Sequence, residues 1–307
     1  MRRSPLILIA AVMTAGAFTP ASAQQSPDSL IVSTAWLASH LNDQRVVVLQ
    51  VDMDMNMGGA VPYATAHIPG ARKVGYTEIE VENGGLDSEM PPVDKLREIF
   101  EGLGVSDSSR VVVAYSSEAP AAARVVMVLD YLGHDRVSFL DGGVPKWRAE
   151  KRELSAKVPT VTRGSMHPHV RANVIVDAAW IEARIGKPGL ALIDTRADGE
   201  YLGTAGRHGM PSAGHLAGAR QLQWEQLFVG DSGSRGGAPL KDRAALRRLF
   251  ADRMQPGDTV VTYCWVGYRA STTYFAARAL GLPVKLYDGS YEDWMMRKLP
   301  THAGATP

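Results

Sequence analysis

"VVVAYSSEAPAAARVVMVLDYLG", Val111 to Gly133, and "TVVTYCWVGYRASTTYFAARALG", Thr259 to Gly281, are one pattern written twice. Each opens on a short β-branched run, crosses a loop of small and polar residues, continues through a longer apolar stretch and stops at a glycine. Such runs read as a buried strand followed by a helix, with Gly133 and Gly281 as the C-terminal stops. Three more blocks repeat in the same order, offset by 144 to 148 residues. "VSTAWLASHL" (Val32 to Leu41) matches "VDAAWIEARI" (Val176 to Ile185), with Ser33 and Asp177 as helix N-caps before Trp36 and Trp180. "HIPGAR" (His67 to Arg72) matches "HLAGAR" (His215 to Arg220), and "FLDGGVPKW" (Phe139 to Trp147) matches "LYDGSYEDW" (Leu286 to Trp294). The chain is a duplicated domain.

Further strands are expected at Arg45 to Val51, Val137 to Leu140, Ala191 to Asp194 and Val284 to Tyr287. Helices are expected at Val93 to Leu103, Ala121 to Leu132, Arg243 to Asp252 and Ala270 to Leu280. This alternation implies an α/β protein of two tandem domains, each a mainly parallel sheet with helices on both faces. The 307 residues suit two domains of ordinary size. Their expected bounds are 28–155 and 173–302, joined by a linker over 156–172, in "SAKVPTVTRGSMHPHVRA", which lacks periodicity.

The start, "MRRSPLILIAAVMTAGAFTPASAQQ", has a basic pair at Arg2 and Arg3, an apolar run from Leu6 to Phe18, and Ala21-Ser22-Ala23 before Gln24. That is the pattern of a cleavable secretory signal over residues 1–23, with the bacterial periplasm as the expected destination and no membrane attachment after cleavage. Thirty-three Lys and Arg against 32 Asp and Glu leave a formal charge of +1. No global field therefore favours nucleic acid, and any anion selectivity must be local.

The only cysteine, Cys264, has no disulfide partner in its own chain. It follows an expected parallel strand and precedes an expected helix, at the sheet edge where α/β proteins bind ligands. Loop amides and a helix N-terminus favour an anion there and bias a thiol toward thiolate. Gly267 lets the backbone bend, and Arg269 brings a permanent cation.

"DTRADGEY", "GHLAGAR", "YCWVGYRAS" and "YDGSYEDW" together resemble the rhodanese (sulfurtransferase) family, over both halves from about Val32 to Pro300. The resemblance implies that Cys264 takes sulfane sulfur from thiosulfate or a related donor as a persulfide and passes it to cyanide or a thiol, in a ping-pong cycle. It implies no cofactor and no metal. The N–H groups of Trp265, Val266, Gly267, Tyr268 and Arg269 would hold the persulfide, and Arg269 and Arg196 the anionic donor. Four residues separate Cys264 from Arg269, one fewer than in the cysteine phosphatases. Mercaptopyruvate-type loops carry small residues after the cysteine, from which Trp265 and Arg269 depart, so thiosulfate is the expected donor. The alternative is a persulfide carrier or protein-binding module without turnover, with Trp265, Val266 and Tyr268 as an apolar rim for a protein acceptor.

The first copy has Ser116 where the second has Cys264, and Ala121 where the second has Arg269, so it is expected to pack against the other domain and wall the cleft. His67 and His215 occur in both copies, which points to a structural role. Trp147 and Trp294 are expected in the core. His167 and His169, the acids Asp52 and Asp54, and Met53, Met55 and Met57 are incomplete as metal sets.

Overall fold

The computed structural model describes residues 30–53, 62–207, 210–211, 213–231 and 233–307. The expected signal segment, Asp54, Met55 and Met57 lie outside the described residues. Among the described residues no helix is long and apolar enough to cross a membrane.

The first domain contains β1 (Ile31–Val32), α1 (Thr34–His40), β2 (Val46–Asp52), β3 (Arg72–Gly75), β4 (Val81–Asn83), β5 (Leu86–Glu89) and α2 (Val93–Gly102). It continues with β6 (Arg110–Tyr115), α3 (Ala119–Tyr131), β7 (Val137–Leu140) and α4 (Gly143–Ala149). Five of its strands form a parallel sheet in the order β1-β7-β6-β2-β3, while β4 and β5 pair as a hairpin.

The second domain contains β8 (Ile175–Val176), α5 (Ala178–Glu182), β9 (Leu190–Asp194), α6 (Asp198–Leu202), β10 (His215–Leu216), β11 (Arg220–Gln221) and α7 (Arg243–Ala251). After these come β12 (Thr259–Tyr263), α8 (Ala270–Leu280), β13 (Val284–Tyr287), α9 (Ser290–Met296) and β14 (Thr301–His302). Its parallel sheet runs β8-β13-β12-β9-β11, the same order as the first. Central strands β6 and β12 are buried along nearly their whole length, which is why both read as unbroken β-branched runs rather than alternating ones.

Both copies use the same local devices. Ser33 and Asp177 accept the N–H of Trp36 and Trp180 at the starts of α1 and α5. His67 Nδ1 donates to the Tyr63 carbonyl and its ring stacks on that of Tyr63, and His215 does the same at Tyr201. Trp147 and Trp294 are buried and donate their indole N–H to the carbonyls of Glu153 and Pro300. These residues repeat because each holds a turn that the duplicated fold needs twice.

Helices α3 and α8 pack on one another across the domain boundary, so α3 is buried from Ala119 to Asp130. Phe139 meets Phe275 there at 4.9 Å between ring centres. Asp130 is compensated by Arg278, Arg171 and the Tyr274 hydroxyl, as a buried carboxylate must be. The segment expected as a linker is a strap rather than a tether. Its backbone donates from Gly164 to Glu101, from His169 to Leu132 and from Arg171 to Tyr131. It lacks periodicity because its partners are loops and helix ends of the first domain.

Candidate active site

Cys264 follows β12 directly, and the chain reaches α8 at Ala270. The cysteine N–H donates to Ser290 Oγ at 3.2 Å, and its carbonyl accepts from Tyr291 at 3.1 Å. The Trp265 carbonyl accepts from Glu292 at 3.0 Å. The turn between β13 and α9 thus braces the first two residues of the loop.

Beyond them the backbone is unusual. Among the described residues, the N–H groups of Trp265, Val266, Gly267, Tyr268 and Arg269 meet no acceptor in the protein. Buried amides are normally paired, so a run of five unpaired ones, from buried Trp265 to half-buried Arg269, is an arrangement that could accept an anion. The 11-residue helix α8 adds its positive end. Gly267 has φ +77°, and a Cβ there would lie 2.9 Å from both the carbonyl oxygen and Oδ1 of Asp288. Only glycine fits that bend.

Arg269 stands at the start of the helix but is not the free loop cation expected from the sequence. Its Nη1 and Nη2 donate to Glu200 Oε2 and Oε1 at 2.7 and 2.8 Å, a two-pronged pair on α6. The two side chains are only 16% and 10% exposed. Burial opposes the Glu200 charge, and the Arg269 hydrogen bonds outweigh it, holding that carboxyl below its ordinary range. Arg269 Nε has no partner and remains available.

Arg196 corrects an expectation. It is fully buried, paired with Asp194 through Nη2 at 2.6 Å, and donates to the Gly214 carbonyl at 2.7 Å. Its guanidinium lies 3.8 Å from the Tyr291 ring centre and does not line the cleft. The strand-edge position is as anticipated, but the side chain folds back on the carboxylate two residues earlier. Trp265 is a second correction. The expected rim residue is 1% exposed and packs inward against Tyr291, so only its backbone belongs to the loop's working face. Val266 and Tyr268 do line the cleft. The Tyr268 ring stands edge-on to Tyr76 at 4.9 Å, and its hydroxyl approaches Glu118 Oε2 at 3.4 Å. Burial holds that phenol neutral, well above its ordinary range.

The cleft itself is about 470 Å³ and lies between the domains. Met53, Tyr76, Glu80 and Glu118 wall it from the first domain, as the duplicate lacking a cysteine was expected to do. Opposite stand Trp224, Glu225 and two arginines that sequence reasoning missed, Arg207 and Arg235. Neither arginine has an ion pair among the described residues. They lie outside the repeated blocks, in glycine-rich segments, so no pattern singled them out. The Cys264 side chain has no exposed surface. Nor is it among the residues that line the cleft. Ser116, its counterpart, accepts a hydrogen bond from Gln50 Nε2 at 3.1 Å inside the first domain.

A duplicated α/β domain with one cysteine at the head of a strand-loop-helix unit defines a narrow class. The rhodanese-like domain pattern matches residues 33–150 and again 177–297, and the chain belongs to that family in tandem form. It is 28% identical over 267 residues to a thiosulfate sulfurtransferase of Pseudomonas aeruginosa, covering 86% of this chain and 93% of the relative. It is 31% identical over 280 residues to the sulfur carrier protein TtuD of Thermus thermophilus, with the same two coverages. Among solved structures it resembles SseA of Escherichia coli, described with the rhodanese fold of 3-mercaptopyruvate sulfotransferases. That likeness has a TM-score of 0.74 at 22% identity and covers 86% of this chain and 99% of SseA.

Proposed function

We propose that the protein is a sulfurtransferase that moves sulfane sulfur from thiosulfate through a Cys264 persulfide to cyanide or a thiol. The thiolate attacks the outer sulfur of thiosulfate, the S–S bond breaks, and sulfite leaves with the bonding pair. The enzyme then carries Cys–S–S⁻. Cyanide or a thiolate attacks the terminal sulfur, yielding thiocyanate or a new persulfide and restoring the thiolate, so charge and atoms balance in both halves. The observation that carries this reading is the set of five unpaired amides following Cys264, which suits a terminal sulfur anion. Arg269 Nε, with Arg207 and Arg235, draws the dianionic donor into the cleft. The thiosulfate sulfurtransferase among the relatives supports the choice of donor.

The test is thiocyanate formation from thiosulfate and cyanide by the wild type and Cys264→Ser. Turnover that vanishes in the variant supports the enzyme. A second reading, a sulfur carrier without turnover, draws on the enclosed thiol and on the likeness to TtuD. It is favoured if thiosulfate adds 32 Da to Cys264, about the mass of one sulfur atom, without steady-state thiocyanate. We also propose export to the periplasm, on the strength of the basic, apolar and small-residue run over residues 1–23. A mature chain starting at Gln24 in a periplasmic extract is the expected result, and a full-length cytoplasmic chain the refuting one.

A further inference from the structure

We infer that Arg124, on the domain that lacks the cysteine, is a positioning residue that sets the shape of the sulfur-binding loop through Asp288. Arg124 has no exposed surface, although it lies on α3 amid alanines and valines. Its Nη1 donates to Asp288 Oδ1 across the domain boundary, and its Nη2 donates to the Ser88 carbonyl at 2.9 Å. The other oxygen of Asp288 accepts the N–H of Met90 at 3.0 Å, and Glu292 accepts that of Asp87 at 2.8 Å. The first domain therefore grips the turn from Asp288 to Glu292 at three points.

That same turn grips the cysteine loop. Ser290, Tyr291 and Glu292 make the three hydrogen bonds to Cys264 and Trp265 described above. Gly267 packs against Asp288 from the other side, and a Cβ there would come 3.3 Å from Arg124 Nη1. Ser290 holds φ +53°, a conformation its counterpart Gly143 adopts at φ +55° without a side chain. The serine tolerates this strain where its hydroxyl braces Cys264.

The repeat supplies an internal control. Asp141 is the counterpart of Asp288, and it likewise accepts a backbone N–H from the opposite domain, that of Leu240 at 2.9 Å. The residue matching Arg124 in the second domain is Thr272, which is uncharged. The only charge acting on Asp141 among the described residues is that of Lys146 in its own domain, so a cation reaching across from the opposite domain is found on the side that faces the cysteine loop. General packing of the two domains uses the α3–α8 contact on both sides and does not account for this asymmetry.

The test is Arg124→Met combined with Asp288→Asn, which removes both charges together and leaves neither buried alone. Loop order is read as loop exchange, the hydrogen exchange of the Tyr291 and Glu292 amides that donate to the Cys264 and Trp265 carbonyls. Catalysis is read as thiocyanate kcat and donor KM, with Tm as the check on folding. The proposal rests on the sulfurtransferase reading only for its kinetic arm, since exchange needs no turnover. The expected result is faster loop exchange by at least tenfold, a fall in kcat of about 10²-fold with donor KM little changed, and Tm near that of the wild type. Arg124→Lys, which keeps the charge in one piece, is expected to recover part of both. Unchanged loop exchange in a folded double variant overturns the proposal. Absent turnover in the wild type, with faster loop exchange in the variant, overturns the enzyme reading and leaves the positioning role intact. If the double variant does not fold, Arg124→Lys decides by the same exchange measurement.

Discussion

Replacing Gly267 by alanine puts a methyl group where the loop turns most sharply. The residue sits at φ +77°, and the new Cβ would lie 2.9 Å from two oxygens of Asp288. Holding an L-residue in the left-handed region costs about 1–2 kcal/mol. Forcing a methyl group into a filled space costs about 1–3 kcal/mol more, because Asp288 is fixed by Arg124 and Met90 and cannot retreat cheaply. The expected loss is therefore about 2–5 kcal/mol, or a fall in Tm of roughly 4 °C or more. The loop that escapes this clash also misplaces the amides around the sulfur, so kcat/KM for thiosulfate should drop by about 10²-fold. Urea unfolding followed by circular dichroism gives the first quantity, and thiocyanate formation gives the second. A Gly267→Ala protein with wild-type stability and wild-type turnover would show that the loop has room to spare, and the argument from its geometry would fail.

Arg269→Ala removes the two-pronged cation from the largely buried Glu200 carboxylate, which keeps the Ala197 N–H as a donor. It is expected to lower stability by about 3 kcal/mol as well as raising the donor KM, and adding Glu200→Gln should restore stability without restoring KM. Equal KM values for wild type and Arg269→Ala would move the donor contact to Arg207 and Arg235. Burial, with the charge of Asp288 second, pushes Glu89 up to about 7 from an ordinary 4.5. The folded state then holds that proton more tightly than the unfolded one. The associated stability is full below pH 4.5 and is lost as pH rises through 7. Because Glu89 is partly exposed, the loss is screened to about 1 kcal/mol. Glu89→Gln should flatten the fall in stability between about pH 5 and pH 8 by that amount, and denaturant titrations with the same slope in both proteins would refute the assignment.

The recurrence of four blocks established two copies of one α/β unit, β-branched runs placed strands β7 and β13 at their observed bounds, and an apolar stretch ending at Gly281 did the same for helix α8. These features are local: strand burial, caps and glycine stops are encoded within about ten residues of where they act. The cysteine loop was legible for the same reason, since its strand, glycine and helix are contiguous. What surrounds the loop was not. Arg196 occupies the expected strand edge but spends its charge on Asp194, and Arg269 is shared with Glu200, 69 residues away. Arg124 meets Asp288 across 164 residues, and Arg207 and Arg235 reach the cleft from segments with no repeat. Which cation is free, which is neutralised and which braces a backbone depends on partners brought together by domain packing. Ion pairing acts over a few ångströms in space, and spacing along the chain carries no record of it.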